Sequence, residues 1–344
     1  MTINDITSVE NLLLAWEEFL RGKRKRKDVQ EFQINLMDNI LDLQRDLANK
    51  TYRHGPYEAF NISDPKPRNI HKATVRDRLL HHAIYRVLYP VYDQTFIAHS
   101  YSCRKNKGTH KALDTFISMA RKVSDNHTKT VWVLKCDIRK FFASIDHEIL
   151  ITLLTKKITG PELLELLKEI IGSFETALGK GLPLGNLTSQ LLVNIYMNEL
   201  DQFLMSGSDY KNGNTLVVDQ FVKRKLKVTY YIRYADDFVF FNQDRKELLK
   251  TSQSIERFLG AELALQLHPY KVSITTVASG VDFLGWVHFP HHRALRTVTK
   301  RRMFKNVQKN LDNKAIVQSY FGLLAHGNTA KLKSQLRLLA NVAE

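Results

Sequence analysis

Apolar residues recur at helical spacing over residues 8–21, where Val9, Leu12, Leu13, Trp16, Phe19 and Leu20 share one side. Ser8 is the expected cap, with Asn11 where a capping box would carry Glu. A second helix is expected over 28–49, with Phe32, Leu36, Ile40, Leu43 and Leu47 on one face. Gly55-Pro56 breaks this pattern, and residues 57–70 alternate like two strands around Asp64-Pro65-Lys66-Pro67. Helical spacing returns over 74–89 and 111–123, separated by a polar, basic loop over 100–110. Residues 131–136 form a buried-strand run that ends at Asp137. Residues 161–171 read as a helix. A loop punctuated by Gly and Pro at 179–190 leads into an amphipathic helix through about Phe203, capped by Asn186 or Thr188. Residues 206–220 read as a polar loop, 230–241 as two strands meeting at a pair of acids, and 245–260 as a helix. Strands follow at 272–277 and 281–287, split by a turn at 278–280, and then two or three short helices around Gly322 and Gly327.

Charge narrows the partner. The 51 Lys and Arg residues against 35 Asp and Glu leave a net charge of +16, which suits a polyanion. Six of the seven residues Arg21-Gly22-Lys23-Arg24-Lys25-Arg26-Lys27 are basic, either a solvated run or a phosphate contact. No apolar run approaches the ~20 residues of a membrane span, and residues 1–10 lack a signal-peptide core, so nucleic acid is favoured over membrane. Cys103 and Cys136 provide no disulfide framework or zinc pattern, which fits a reducing, cytoplasmic setting. The histidines at 81, 82, 110, 291 and 292 show no metal-ligand spacing and are read as structural.

The chemistry concentrates in acids. Asp236 and Asp237 stand side by side between strands of aromatic and β-branched residues, so a hairpin would carry paired charge at its tip. An isolated Asp pair is most often a solvated turn. Asp137, at the end of another apolar strand, adds a third carboxylate and favours an oxygen-liganded divalent cation instead. Carboxylates on rigid strands are what a two-metal phosphoryl-transfer site needs. Phe142 lies five residues past Asp137, under a nucleotide sugar or in the core beside Phe141. Lys66 and Arg68 flank the exit of the 64–67 turn, as a triphosphate clamp or a basic surface.

Taken in order from Gly55 to Gly285, these pieces resemble a reverse transcriptase. Asp137 with its strand resembles the first catalytic motif, and Tyr234-Ala235-Asp236-Asp237 resembles the Tyr-x-Asp-Asp box. The resemblance implies that Asp137 and Asp236 ligate two Mg²⁺ ions, with Mn²⁺ as a substitute, and that Asp237 completes the cluster. It implies that Phe142 is the gate against a 2′-hydroxyl, and that Lys66 and Arg68, with Gln190, meet the dNTP. Lys271 resembles the lysine that protonates the leaving pyrophosphate. Phe283-Leu284-Gly285-Trp286 resembles the primer grip, and the resemblance implies that Gly185 and Ser189 belong to the template and primer contacts. The loop Leu184-Gly185-Asn186-Leu187-Thr188-Ser189-Gln190 replaces the commoner Gln-Gly-x-x-x-Ser-Pro, and this variant is similar to the enzymes of diversity-generating retroelements. Asp64-Pro65-Lys66-Pro67-Arg68 and the run from Arg104 to His110 are similar to that group too, whereas Ala235 stands where it more often has Met.

The expected fold is α+β, a right-hand polymerase whose palm is a small antiparallel sheet packed on helices. The expected division is an N-terminal helical extension over 1–54, fingers over 55–130 and 151–183, palm over 131–150 and 184–289, and a short helical thumb over 290–344. The expected activity is RNA-directed DNA synthesis, error-prone within a diversity-generating retroelement, whose mutated cDNA replaces a variable repeat in a target gene. The implied partners are an RNA template, a DNA or RNA primer, dNTPs, a cognate structured RNA and an oligomeric basic accessory protein, with no membrane. The rivals are a defence-associated or group II intron-derived reverse transcriptase and, more distantly, a non-catalytic RNA-binding protein.

Overall fold

The computed structural model describes residues 2–63, 67–206 and 228–340. The elements run α1 Ile3–Thr7, α2 Val9–Leu20, α3 Lys27–Ile34, α4 Leu36–Ala48, β1 Glu58–Ile62, β2 Arg68–Lys72, α5 Val75–Asp93 and α6 Thr109–Val123. They continue β3 Trp132–Asp137, α7 Phe141–Ser144, α8 His147–Thr155, α9 Pro161–Gly172, α10 Leu187–Ser206, β4 Tyr231–Tyr234, β5 Asp237–Asn242 and α11 Arg245–Leu263. Last come β6 Ser273–Thr276, β7 Val281–Phe283, β8 Trp286–His288, β9 Arg293–Leu295, α12 Thr297–Lys309, α13 Lys314–Leu324 and α14 Ala330–Leu339. The fold mixes helices with small antiparallel sheets, as expected. Among the described residues no helix is long and apolar enough to cross a membrane.

The chain divides into two compact units. The first comprises Met1–Ala98, Ile138–Lys227 and Ile255–Leu267. In it α2 packs on α5: Asn11 Nδ2 donates to the Ala83 carbonyl at 3.2 Å, and Arg86 pairs with Glu18. Ser8 caps α2 by accepting the Asn11 amide at 3.2 Å. The helix expected over 28–49 is two helices, because Asn35, at φ −113° and ψ 43°, leaves the helical basin. Asn competes for its own backbone groups and is a weak helix former. The exposed carbonyl of Phe32 then accepts Asn39 Nδ2 at 2.9 Å, which satisfies the end of α3. Strands β1 and β2 form an antiparallel hairpin, Glu58 opposite Lys72. Thr188, a candidate cap, instead lies inside α10, its hydroxyl 2.7 Å from His81 Nδ1.

The second unit comprises His99–Asp137, Val228–Ser254 and His268–Glu344. Its main sheet has the order β4-β5-β3-β6, all antiparallel. A second sheet, β7-β8-β9, replaces the single strand expected over 281–287. Leu284 and Gly285, at φ 49° and 87°, turn the chain tightly between Phe283 and Trp286. Two positive φ values are what a type I′ turn needs. The apolar Leu in the turn hid it from a reading of alternation. The core gathers Phe116 of α6, Phe241, Phe283 and Trp286 with Met303, Val307, Val317, Leu324 and Leu336 of the three terminal helices. The expected loop at 206–220 lies outside the described residues apart from Ser206, which ends α10.

Candidate active site

Strand register builds the acidic site. Asp137 ends β3 directly opposite Asp237, which begins β5. Residues opposite one another in an antiparallel pair project to the same face, with Cα atoms roughly 4.5–5.5 Å apart. Tyr234 pairs with Asp237, so Ala235 and Asp236 alone form the turn between β4 and β5. Ala235 has φ 57°, as primed hairpin turns require at their first central position. Arg233 Nη1 braces this turn by donating to the Ala235 carbonyl at 3.2 Å. Asp236 therefore sits half-buried at the tip, next to the Asp137–Asp237 pair.

Two ammonium groups balance two of the acids. Lys271 Nζ donates to Asp137 Oδ1 at 2.9 Å, and the turn that carries it is fixed by the His268 amide donating to the Asp137 carbonyl at 2.7 Å. Lys135 Nζ lies 3.7 Å from Asp237 Oδ2. Burial pushes the Asp237 carboxyl up to about 7, against the pull of Lys135 and with the repulsion of Asp236, Asp137 and Asp282. Its other oxygen, Oδ1, is buried without a hydrogen-bond partner among the described residues. Among the described residues no three His, Cys, Asp or Glu side chains are placed to hold a metal ion as they stand. An open, oxygen-only donor set with an orphaned buried carboxylate oxygen nevertheless fits a hard divalent cation that completes the charge balance.

The remaining predicted residues divide between the units. In the first, the amide of His71 on β2 donates to the Leu184 carbonyl at 3.0 Å, and a Cβ on Gly185 would sit 2.9 Å from Ile70 Cγ2. Exposed Arg68 thus begins the strand on which the Gly185 loop rests. The Leu182 amide donates to the Phe142 carbonyl at 2.8 Å, which joins the turn of Phe142 to the same loop. Phe142 is half-buried, whereas its neighbour Phe141 belongs to the core. Gln190 is half-buried one residue beyond Ser189, which is 2% exposed. Lys66 lies outside the described residues. In the second unit, Phe283 and Trp286 are buried in the core, and Leu284 and Gly285 form the half-buried tip of their hairpin.

The family profile described as reverse transcriptase (RNA-dependent DNA polymerase) matches residues 62–288. The chain belongs to the reverse transcriptase family. Among curated proteins this reverse transcriptase is 28% identical over 289 residues to Protein YkfC of Escherichia coli (strain K12), covering 77% of this chain and 73% of that one. It is 24% identical over 302 residues to the Group II intron-encoded protein LtrA of Lactococcus lactis subsp. cremoris, covering 72% of this chain and 49% of LtrA. Among solved structures, apo telomerase from Candida Tropicalis, truncated from its C-terminal domain, aligns with a TM-score of 0.48 and 11% identity over 73% of this chain and 59% of that one. The reverse transcriptase is an RNA-directed DNA polymerase by class, with the polymerase fold expected from its sequence.

The structure adds Lys135 to the candidate site. It sits in a run read as apolar, yet it is two positions before Asp137, and alternation along a strand puts the two on one face. A lysine inside an otherwise buried strand was the available signal, because lysine is almost never buried unless paired.

Proposed function

We propose that this reverse transcriptase copies an RNA template into cDNA by two-metal nucleotidyl transfer, as the error-prone enzyme of a diversity-generating retroelement. The register that puts Asp137 opposite Asp237, with Asp236 at the adjoining turn, carries the catalytic part of this reading. Asp137 and Asp236 would hold two Mg²⁺ ions, or Mn²⁺ in their place, with Asp237 completing the acidic set. Such ions, when bound, activate a primer 3′-hydroxyl and stabilise the charge on the leaving oxygen. Lys271, whose ammonium donates to Asp137 Oδ1, would protonate the leaving pyrophosphate. Arg68, with Lys66, grips the triphosphate; Phe142 excludes a 2′-hydroxyl; and Gln190 meets the incoming nucleotide. Gly185, Ser189 and the hairpin Phe283-Leu284-Gly285-Trp286 align template and primer. The fingers, palm and thumb are assigned to the residue ranges given by the sequence.

The diversification role rests on the Leu184–Gln190 loop and on the companion stretches around Arg68 and Arg104. In that role the partners are a cognate structured RNA and an oligomeric basic accessory protein, and the setting is cytoplasmic. Similarity to LtrA favours a second reading, an enzyme of the group II intron type, although the chain spans about half of LtrA's length. One experiment separates them: cDNA synthesis on a generic primed RNA and on RNA transcribed from the native locus, with the products sequenced. Synthesis confined to the native RNA, with errors concentrated opposite adenine, establishes diversification. Faithful copying of any primed RNA supports the second reading. No synthesis on either RNA refutes both.

A further inference from the structure

Lys135 lies on β3 between β5 and β6, and its side chain is only 17% exposed. Its ammonium meets two groups from different elements. It donates to the main-chain carbonyl of Asp282 on β7 at 2.7 Å, and it stands 3.7 Å from Asp237 Oδ2 on β5. The hairpin formed by β7 and β8 is therefore tied to the acidic face of the main sheet through one side chain. Lys271 makes a useful contrast. It stands on a turn, its side chain is 44% exposed, and its carboxylate contact is with Asp137. A long exposed side chain on a turn exchanges partners at small cost, whereas a lysine pinned on a central strand and held by a carbonyl does not.

We propose that Lys135 is a positioning residue: it locks the Asp237 carboxylate in one orientation and couples that orientation to the 281–288 hairpin. The inference rests on the polymerase reading of the site. The orphaned Oδ1 of Asp237 shows what the lysine does. With Oδ2 directed at Lys135, the other oxygen is buried and has no hydrogen-bond partner among the described residues. Without the ammonium, no other side chain among the described residues holds the Asp237 carboxylate, and a buried carboxylate without a partner turns toward whatever donor it can find. The carbonyl of Asp282 loses its donor in the same step. Orientation of the acid and seating of the hairpin thus change together. The Asp282 carboxylate is occupied separately by Arg296, so that pair does not replace the link.

The test compares wild type with Lys135→Met and Lys135→Arg in the full chain. Two quantities are read: single-nucleotide extension of a primed RNA across dNTP concentrations, and amide hydrogen exchange of residues 281–288 in the free protein. Lys135→Met is expected to slow the saturated extension rate by at least about tenfold, while the dNTP concentration for half-maximal rate moves by less than about threefold. A lysine that served only global stability would not divide rate from dNTP affinity in this way. Hydrogen exchange in the hairpin is expected to rise by at least about fivefold. Lys135→Arg, which keeps a charge and several donors, is expected to restore both readings to within about threefold of wild type. An extension rate for Lys135→Met within about threefold of wild type, or unchanged exchange at 281–288, overturns the proposal. If Lys135→Met does not fold, the arginine variant decides: near wild-type rate and exchange support the link, and a loss of about tenfold overturns it. If wild type itself extends no primer, the polymerase reading fails, while hydrogen exchange still tests the lysine link.

Discussion

His288 gives the second unit a dependence on pH that can be sized from its surroundings. It ends β8, is 1% exposed, and its ring centroid lies 4.2 Å from that of Phe116. Among the described residues neither ring nitrogen has a hydrogen-bond partner in bonding geometry. Burial pushes its pKa down to about 3, the charge of Arg293 adds to the fall, and the Phe283 backbone opposes it weakly. In the unfolded chain the same imidazole titrates near about 6.5. A histidine whose folded pKa is depressed contributes its stability in full above the unfolded value and loses it as pH falls toward the folded one. Between about pH 7.5 and about pH 5 the loss is about 2 kcal/mol, and below about pH 3 it approaches roughly 5 kcal/mol. The substitution His288→Leu keeps a similar volume in an apolar site and removes the titrating group. Urea denaturation of both proteins at the two higher pH values, followed by tryptophan fluorescence, reads the difference. Trp286 reports on the same hairpin. The variant is expected to lose about 2 kcal/mol less than wild type on acidification, whatever other histidines contribute to both. Equal losses in the two proteins would refute the assignment of a buried neutral imidazole.

Three further outcomes follow from the described contacts. Asp236→Ala is expected to abolish cDNA synthesis while leaving RNA affinity within about twofold, since it removes one acid at a turn tip and no basic residue; full extension activity in that variant would contradict the site. Phe142→Ala is expected to raise ribonucleotide incorporation, and an unchanged dNTP-to-rNTP preference in primer extension would remove Phe142 from the gate. Gly327→Ala is expected to destabilise the second unit by about 1–3 kcal/mol, because the new Cβ would sit 2.6 Å from Trp286 Cη2 and 2.9 Å from Cε3, and a buried indole has no slack to yield; an unaltered thermal midpoint would show that the α13–α14 turn can shift instead.

What the sequence disclosed, and what it concealed, follows from which residues depend on strand alternation. The acids were legible because charge is anomalous at the end of an apolar strand, and β3, β4 and β5 fell where composition put them. Their mutual register was not legible, since no local pattern says which strands become neighbours. Lys135 was hidden within the same run that revealed Asp137. Asn35 broke a helix whose apolar periodicity runs on through it, and Leu284 turned a hairpin at an apolar position. In each case a backbone conformation changed without a change in hydrophobic pattern. His288 was also invisible, because its burial depends on Phe116, which is distant in sequence.

The loop before α10 shows why the family was easier to read than the subtype. Gly185 has φ 115°, and any Cβ there would press on Ile70. Leu184 is held through its main-chain carbonyl by the His71 amide. Backbone geometry and a missing side chain therefore set the path of the loop, and both are demanded by packing against β2. Gln190 gives α10 its carbonyl, which accepts Asn194 Nδ2 at 3.2 Å, and a residue of another type would offer the same acceptor. Positions that the fold constrains announce the polymerase, and positions that it leaves free are those where one reverse transcriptase differs from another. A loop seated by its backbone can exchange Pro for Gln without losing its place, so under the proposed role of Gln190 template choice and error rate would change while the architecture stays the same.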